Sequence, residues 1–196
     1  SATGALRGVA AGSFLPYSLR GATKTLPVPN FEDFQFPGRA VSAGERQLAI
    51  FDAYARRLPP LGTTALDTIA SFGLGGVDFA AYVPENGAQY PTTGFGTRMR
   101  SVAAMIKGDI GLEVVNIDVE GWDLHANLGP LHGPMSRLLD ELTRALEAFY
   151  LDLLGYLDDY VLVCLSEFGR HVPENASAGL DHGHGNAMFV MGGHVN

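Results

Sequence analysis

Acidic and imidazole side chains gather in three short clusters in the second half of the chain. The clusters comprise Glu120, Asp123, His125 and His132; Ser166, Glu167, Arg170 and His171; and Asp181, His182 and His184. The chain has only 6 His, so three of them within positions 171–184 form a clear concentration. Side chains of these types bind metal ions or transfer protons, so the clusters are the first place to look for chemistry.

The residue types in the clusters favour a centre with nitrogen and oxygen ligands. Mixed Asp, Glu and His ligands suit zinc, manganese or iron, whereas carboxylates with few His suit magnesium or calcium. Asp123 and His125 are two positions apart, which puts both side chains on one face of an extended segment. Gly183 and Gly185 permit a tight backbone turn around an ion or anion. Together these features predict a metal site.

Taken singly, the same residues also have ordinary explanations. Asp123 could cap a turn, and His125 could be an exposed loop residue. Glu167 and Arg170 could form a simple ion pair. The combination of three clusters beside strand-like segments favours the metal site over these alternatives. Within the third cluster, Asp181 and His184 are further candidate ligands.

Strand-like segments adjoin all three clusters. Residues 112–119, 160–165 and 187–191 are short apolar runs, as is typical of strands. The nearly continuous apolar run at 160–165 is typical of a parallel strand covered on both faces. We predict that the three strands belong to one sheet, in part parallel, and that the clusters meet where loops leave its edge.

Helices are predicted between and before these strands. Over residues 133–155 apolar side chains recur every three or four positions, which indicates an amphipathic helix packed on the sheet. The stripe consists of Leu138, Leu142, Leu146, Phe149 and Leu153. Three earlier helices are predicted over 42–58, 63–83 and 94–109, and residues 1–43 are predicted to be loop with one short strand at most. This order of elements indicates an α/β fold, which we expect to form a single domain over residues 1–196.

The overall composition argues against several classes of partner. The 196 residues carry a formal net charge of −8, whereas a nucleic-acid-binding domain normally presents a basic face. No apolar run approaches the ~20 residues that a membrane-spanning helix needs. The single cysteine, Cys164, lies in an apolar run and is predicted to be a buried core residue. We expect neither a nucleic-acid partner nor a membrane span.

A nucleophilic serine is the main alternative chemistry. Ser166 follows a predicted strand and has His residues downstream, as in Ser/His/Asp hydrolases. The strained turn of many such enzymes has the pattern Gly-x-Ser-x-Gly, however, and here the sequence is CLSEFG, without the first glycine. The chain also lacks a phosphate-binding Walker A loop and a complete dinucleotide-binding fingerprint. The metal site is therefore the preferred interpretation.

Three motifs in the same order resemble an exported bacterial family. GWDLH, SEFGRH and DHGHG resemble the Gly-Trp-Asp-Thr-His, Ser-Glu-Phe-Gly-Arg and Asp-His-Gly-His-Gly motifs of domain-of-unknown-function family 1501. The departures are Leu124 in place of Thr and His171 in place of Arg. The resemblance covers the chain strongly after residue 95 and loosely before it.

That family is similar to the alkaline phosphatase and sulfatase superfamily, which implies a fold and a site. The implied core is a mixed, largely parallel sheet flanked by helices, with metal at the strand ends. By this resemblance the metal ligands are Asp123, His125, Glu167 and His182. Phe168 stands where the superfamily has a further His. The superfamily's nucleophile would lie in a segment before this chain, so we expect the chain to be the middle part of a longer domain.

The resemblance also implies an activity and a location. We expect a metal-dependent hydrolase of phosphate or sulfate esters, with zinc or manganese as cofactor and Arg170 as a contact for an anionic substrate. The alternative is a non-catalytic exported protein of the same fold with a structural or vestigial ion. Family members usually carry a twin-arginine export signal, which implies a periplasmic or secreted protein.

Overall fold

The computed structural model describes residues 6–58, 60–72 and 76–195. The chain forms two compact units. The first comprises Ser1–Val83 with Ser101–Asp118, and the second comprises Pro84–Arg100 with Val119–Asn196. All three polar clusters belong to the second unit.

The first unit contains a three-stranded parallel sheet. Strand β1 (Gly8–Ala10) lies between β2 (Thr25–Pro27) and β3 (Val114–Asn116). Val9 in the central strand is fully buried. A short parallel sheet with a buried central strand requires an apolar sequence at that position, and the run around Val9 supplies it. Together with the helices, this sheet confirms an α/β fold.

Two predictions about the strands of this sheet need correction. The segment 1–43 was predicted to hold one short strand at most, but it contributes both β1 and β2. The strand predicted over 112–119 is present as the shorter β3, and its neighbour is β1 rather than a strand from the second half of the chain. The pairing depends on contacts more than one hundred positions apart, which local patterns do not encode.

Helices α1 (Ala43–Ala55), α2 (Leu61–Ser71) and α3 (Gly94–Lys107) confirm the three earlier helices that the sequence predicts. The prediction over 63–83 was wrong in length. Helix α2 ends at Ser71, where Phe72 takes an extended conformation with ψ of 133°. A glycine-rich run follows, and glycine is unfavourable in a helix interior; its positions 73–75 lie outside the described residues.

Helix α4 (Pro134–Asp152) dominates the second unit. The backbone N–H of Gly133 donates to Ser136 Oγ at 3.0 Å, which satisfies one of the free N–H groups at the start of the helix. Phe149 and Leu153 of the predicted stripe are buried. The remaining stripe residues Leu138, Leu142 and Leu146 are half-buried. The amphipathic stripe therefore lies on the inner face of the helix.

A buried carboxylate ties the end of α4 to the segment before α3. Asp152 is completely buried. Its Oδ1 accepts the backbone N–H of Glu85 at 2.8 Å, and its Oδ2 accepts the hydroxyl of Tyr90 at 2.9 Å. Asn86 Nδ2 adds a bond to the carbonyl of Leu151 at 3.0 Å.

Two small antiparallel ladders follow α4 and a 3₁₀ segment (Leu154–Asp159). Strand β4 (Val161–Cys164) pairs with β7 (Phe189–Gly192). Between them in sequence, β5 (Gly169–Arg170) pairs with β6 (His182–Gly183). This second ladder positions the polar clusters.

The strands of the second unit correct the predicted sheet. The segments 160–165 and 187–191 do form strands, but they pair antiparallel with each other, in a sheet separate from β3 among the described residues. Strand β4 is not covered on both faces, because Val161 and Val163 are 61% and 47% exposed. Cys164, predicted to be buried, is half-buried, and this partial burial raises the pKa of its thiol. Among the described residues no helix is long and apolar enough to cross a membrane.

Candidate metal centre

Asp123 and His125 lie on an irregular segment that follows Gly121. Gly121 has a φ of +94°, a conformation that favours glycine, so the chain turns sharply just before the two side chains. The backbone N–H of Leu180 donates to the carbonyl of Leu124 at 3.1 Å, which ties this segment to the third cluster. The first and third clusters, far apart in sequence, are therefore neighbours in the second unit.

The β5–β6 ladder brings the second and third clusters together. Arg170 and His182 are directly opposite each other in this ladder, so their side chains lie on the same face. The strands approach closely because Gly183 has no side chain: a Cβ there would lie 2.6 Å from the backbone nitrogen of His171. The glycines of the DHGHG motif thus serve the close pairing of two strands.

Three side chains converge at this face of the ladder. Asp123 Oδ1 lies 2.8 Å from His182 Nε2 and 3.1 Å from His125 Nε2. One ligand atom from each of the three residues lies within 4.8 Å of the other two. Each side chain is about half exposed, at 58% for Asp123, 47% for His125 and 50% for His182. The three side chains are therefore accessible from solvent.

Positive and polar neighbours hold the Asp123 carboxylate in its ionised form. The hydrogen bond with His182 is the main cause of the lowered pKa of Asp123, and the charges of His125, His182 and Arg170 lower it further. A carboxylate that is ionised at neutral pH is ready to bind a cation without first losing a proton.

The side chain of Arg170 forms hydrogen bonds with two segments around the site. Its Nη2 donates to the carbonyl of Trp122 at 2.6 Å and to Asp123 Oδ1 at 3.2 Å. Its Nη1 donates to the carbonyl of Leu180. The side chain is only 14% exposed. The guanidinium thus links the backbone of Trp122 and Leu180 to the side chain of Asp123, and it places a positive charge next to that carboxylate.

The aromatic ring of Phe168 packs against the imidazole ring of His182. The two rings are stacked, with centroids 4.4 Å apart and planes inclined by 11°. The guanidinium carbon of Arg170 lies 4.7 Å from the centroid of the same Phe168 ring. Phe168 therefore contacts both a candidate ligand and the guanidinium beside it.

Asp181 contacts the other side of the His125 ring. Its Oδ1 lies 2.9 Å from His125 Nδ1 and accepts a hydrogen bond from Asn175 Nδ2, also at 2.9 Å. Both hydrogen bonds lower the pKa of the Asp181 carboxyl group, and the bond with His125 has the larger effect. Asp181 is therefore next to the group of three but on the far side of one of its rings.

The structure does not bring every predicted site residue into the group. Among the described residues, the group that could hold an ion consists of Asp123, His125 and His182, and Glu167 is not part of it. Glu167 and His184 are exposed. Ser166 Oγ donates to the carbonyl of Phe168 at 2.8 Å and is part of a local turn. No arrangement around Ser166 resembles an activated nucleophile within the described part of the chain.

Sequence reasoning missed Asn175. Its carboxamide makes four hydrogen bonds that organise the loop before Asp181 and reach His125. The only signal in the sequence is an Asn followed by small residues and Gly179, which is typical of a side-chain-stabilised turn. That signal predicts a turn and gives no indication of a link to a residue fifty positions earlier.

Comparison with protein families places these residues in a known group of sequences. The model of a family described as Protein of unknown function (DUF1501) matches residues 79–196, more than half of the 196-residue chain. The chain belongs to this family. The DUF1501 region includes all the site residues described above, and the family predicted from the three motifs is confirmed. No curated protein and no solved structure matches the chain. The similarity of DUF1501 to alkaline phosphatases stays a prediction.

Proposed function

We propose that this DUF1501 protein binds a divalent transition metal ion through Asp123, His125 and His182 and hydrolyses small phosphate or sulfate esters there. The observation that carries the proposal is the convergence of one carboxylate oxygen and two imidazole nitrogens within 4.8 Å of one another. Asp123 and His182 are 59 positions apart, so the fold and not local sequence creates this arrangement.

The donor set fits a transition metal. Two imidazole nitrogens and one carboxylate oxygen suit zinc or manganese better than magnesium or calcium. Two ligands that each lie ~2.0–2.1 Å from one ion at tetrahedral angles are roughly 3.3 Å apart. The observed separations of 2.8 and 3.1 Å from Asp123 Oδ1 are only slightly shorter. The two imidazole nitrogens lie within 4.8 Å of each other, so a single ion could contact all three ligand atoms after small adjustments.

The number of ligands and their exposure favour catalysis over a structural role. Structural zinc sites are closed by four protein ligands, whereas catalytic sites have three and leave one position for water or substrate. Here three side chains form the group, and each is about half exposed to solvent. A small ester in solution can reach such a site directly.

The surrounding charges favour an anionic substrate. The guanidinium of Arg170 lies next to Asp123, with Nη2 3.2 Å from Oδ1, and its charge adds to the attraction for an ester anion. When bound, a metal ion would polarise the ester oxygen and lower the pKa of a bound water molecule. The contribution of the chain is to hold the ligands at fixed separations and to admit the ester from solvent.

Metal analysis and ester hydrolysis test the proposal together. Purified protein should bind about one equivalent of zinc or manganese, and His182→Ala and Asp123→Ala should abolish this binding. Asp140→Asn removes an exposed carboxylate from α4 and serves as the matched control. The zinc-loaded protein should hydrolyse 4-nitrophenyl phosphate or 4-nitrophenyl sulfate, and EDTA should stop the reaction. Failure of folded protein to bind metal would refute the site. Metal binding without hydrolysis would favour the non-catalytic alternative.

A further inference from the structure

We propose that Asp181 is a positioning residue for His125 and not a metal ligand. In this arrangement the Asp181 carboxylate holds the proton of His125 on Nδ1, which leaves the Nε2 lone pair facing Asp123 and His182. Asn175 fixes the carboxylate in place. The proposal deepens the proposed function, because the purpose of a fixed Nε2 lone pair rests on the metal site.

The geometry around His125 places Asp181 on the side away from the candidate ion. Asp181 Oδ1 lies 2.9 Å from Nδ1, whereas Asp123 Oδ1 lies 3.1 Å from Nε2. The two ring nitrogens point in diverging directions, so an ion bound at Nε2 is out of reach of an oxygen bonded at Nδ1. Accordingly, Asp181 is not a member of the group of three.

The chemistry of the contact assigns the proton. A carboxylate near neutral pH only accepts hydrogen bonds, so its contact with Nδ1 requires a hydrogen on that nitrogen. Asp123 Oδ1 does not compete for this proton, because its approach to Nε2 at 3.1 Å lacks the geometry of a hydrogen bond, whereas the contact at Nδ1 has it. The bond at one ring nitrogen decides which nitrogen remains available to a metal.

Asn175 holds Asp181 rigidly. Its Nδ2 donates to Asp181 Oδ1 at 2.9 Å and to the carbonyl of His125 at 3.0 Å. Its Oδ1 accepts the backbone N–H groups of Ser177 at 2.9 Å and Gly179 at 3.0 Å. The carboxamide thereby uses both its donors and both its acceptor positions. One side chain thus fixes both the backbone of His125 and the carboxylate that faces the His125 ring.

Backbone contacts make this support stiffer still. The N–H groups of Asn127 and Leu128 donate to the carbonyls of Ser177 and Ala178 at 2.9 and 2.7 Å. Gly179 packs so closely against the backbone of His125 that no Cβ would fit. The loop that carries Asp181 therefore packs against the backbone around His125, as expected for a segment that orients a metal ligand from outside the ligand set.

Two substitutions at position 181 separate the proposed role from simple removal of charge. Asp181→Asn retains an acceptor at Oδ1 for both His125 and Asn175. Asp181→Leu has the same branching at Cγ, in a larger side chain, but no acceptor. Because the side chain is 57% exposed, both variants should fold. Asp140→Asn on α4 is the control for loss of a negative charge elsewhere.

The test is the tautomer of His125 in metal-free protein, read from long-range ¹H–¹⁵N correlations of ¹⁵N-histidine-labelled samples at a pH where the ring is neutral. We expect Nδ1–H in the wild type, Asp140→Asn and Asp181→Asn, and mainly Nε2–H in Asp181→Leu. Nε2–H in the metal-free wild type would overturn the proposal without reference to any variant. So would an unchanged tautomer in folded Asp181→Leu.

Zinc affinity, measured by competition with a chromophoric chelator, provides the second readout. Loss of an outer partner of a metal-bound His typically costs ~10–100-fold in affinity, so Asp181→Leu should weaken zinc binding within that range and Asp181→Asn by less. Complete loss of binding in Asp181→Asn would instead identify Asp181 as a ligand and overturn the proposal. If the wild type binds no zinc, the proposed function fails, while the tautomer measurement still decides the role of Asp181.

Discussion

Two aspartates in the second unit, Asp152 and Asp123, both accept hydrogen bonds but differ in their exposure to solvent. Asp152 is completely buried, and its partners include a backbone N–H and a tyrosine hydroxyl. Asp123 is 58% exposed and faces two imidazoles and a guanidinium. The Asp152 carboxylate is out of reach of solvent, and the backbone N–H and the tyrosine hydroxyl are neutral donors. Asp123 has two imidazole partners that could share an ion with it. Burial, rather than the number of hydrogen bonds, separates a structural carboxylate from a candidate ligand.

The largest effect is expected at the buried aspartate. Asp152→Ala should lower the free energy of unfolding by roughly 2–6 kcal/mol, since two part-buried donors each lose an acceptor at a cost of about 1–3 kcal/mol. Tyr90→Phe removes one of these donors and should cost less. Urea denaturation followed by circular dichroism measures both. A loss below about 1 kcal/mol for Asp152→Ala would remove the contrast between the two aspartates.

A smaller effect, on zinc affinity, is expected when Phe168 beside His182 is replaced. Phe168→Leu should weaken zinc binding about 2–10-fold, because an aromatic pair contributes about 0.5–1.5 kcal/mol beyond the area that it buries. The reason is a less ordered His182 ring, which stacks on Phe168 in the folded protein. Phe189→Leu, at an exposed aromatic residue of β7, is the control. Equal affinities for the two variants would show that the stack does not orient the ligand.

The smallest effect is expected in the dependence of the free energy of unfolding on pH. The folded-state pKa of Asp123 is lowered below the ordinary value of 3.8. The ionised carboxylate therefore contributes stability above that value, and the contribution is lost as the pH falls through the lowered pKa. We expect the stability advantage of the wild type over Asp123→Asn to shrink between pH 5 and pH 2. An advantage that grows on acidification would contradict the direction of the pKa shift. Asp123→Asn should also destabilise the protein less than Asp152→Ala.

The sequence indicated the three residues of the candidate group more readily than the contacts around them. Asp123, His125 and His182 were identifiable because ligand residue types at a spacing of two, and beside glycines, are informative without any tertiary contact. Nothing in the sequence separates Glu167 from the three residues that converge in the structure. Its position after a strand resembles that of a ligand, and only the direction in which the chain leaves β4 determines where it points.

The predicted sheet was wrong for a related reason. The apolar runs at 114–116 and 161–164 correctly indicated strands. Strand pairing, however, depends on which distant segments pack together. β3 pairs with β1 near the start of the chain, and β4 pairs with β7. Helices were predicted more accurately because their periodicity is local, and α4 begins and ends within a few residues of its predicted limits.

The short β5–β6 ladder constrains how this protein can change in length. Arg170 and His182 reach Asp123 because they are paired across a ladder of two residues per strand. A slip of one residue would turn every side chain of a strand to the opposite face. Insertions or deletions between 172 and 181 are therefore tolerated only if the pairing of these two residues survives. In libraries of loop variants, folded members that retain the contact between His182 and Asp123 should retain this alignment even where the intervening sequence has been replaced.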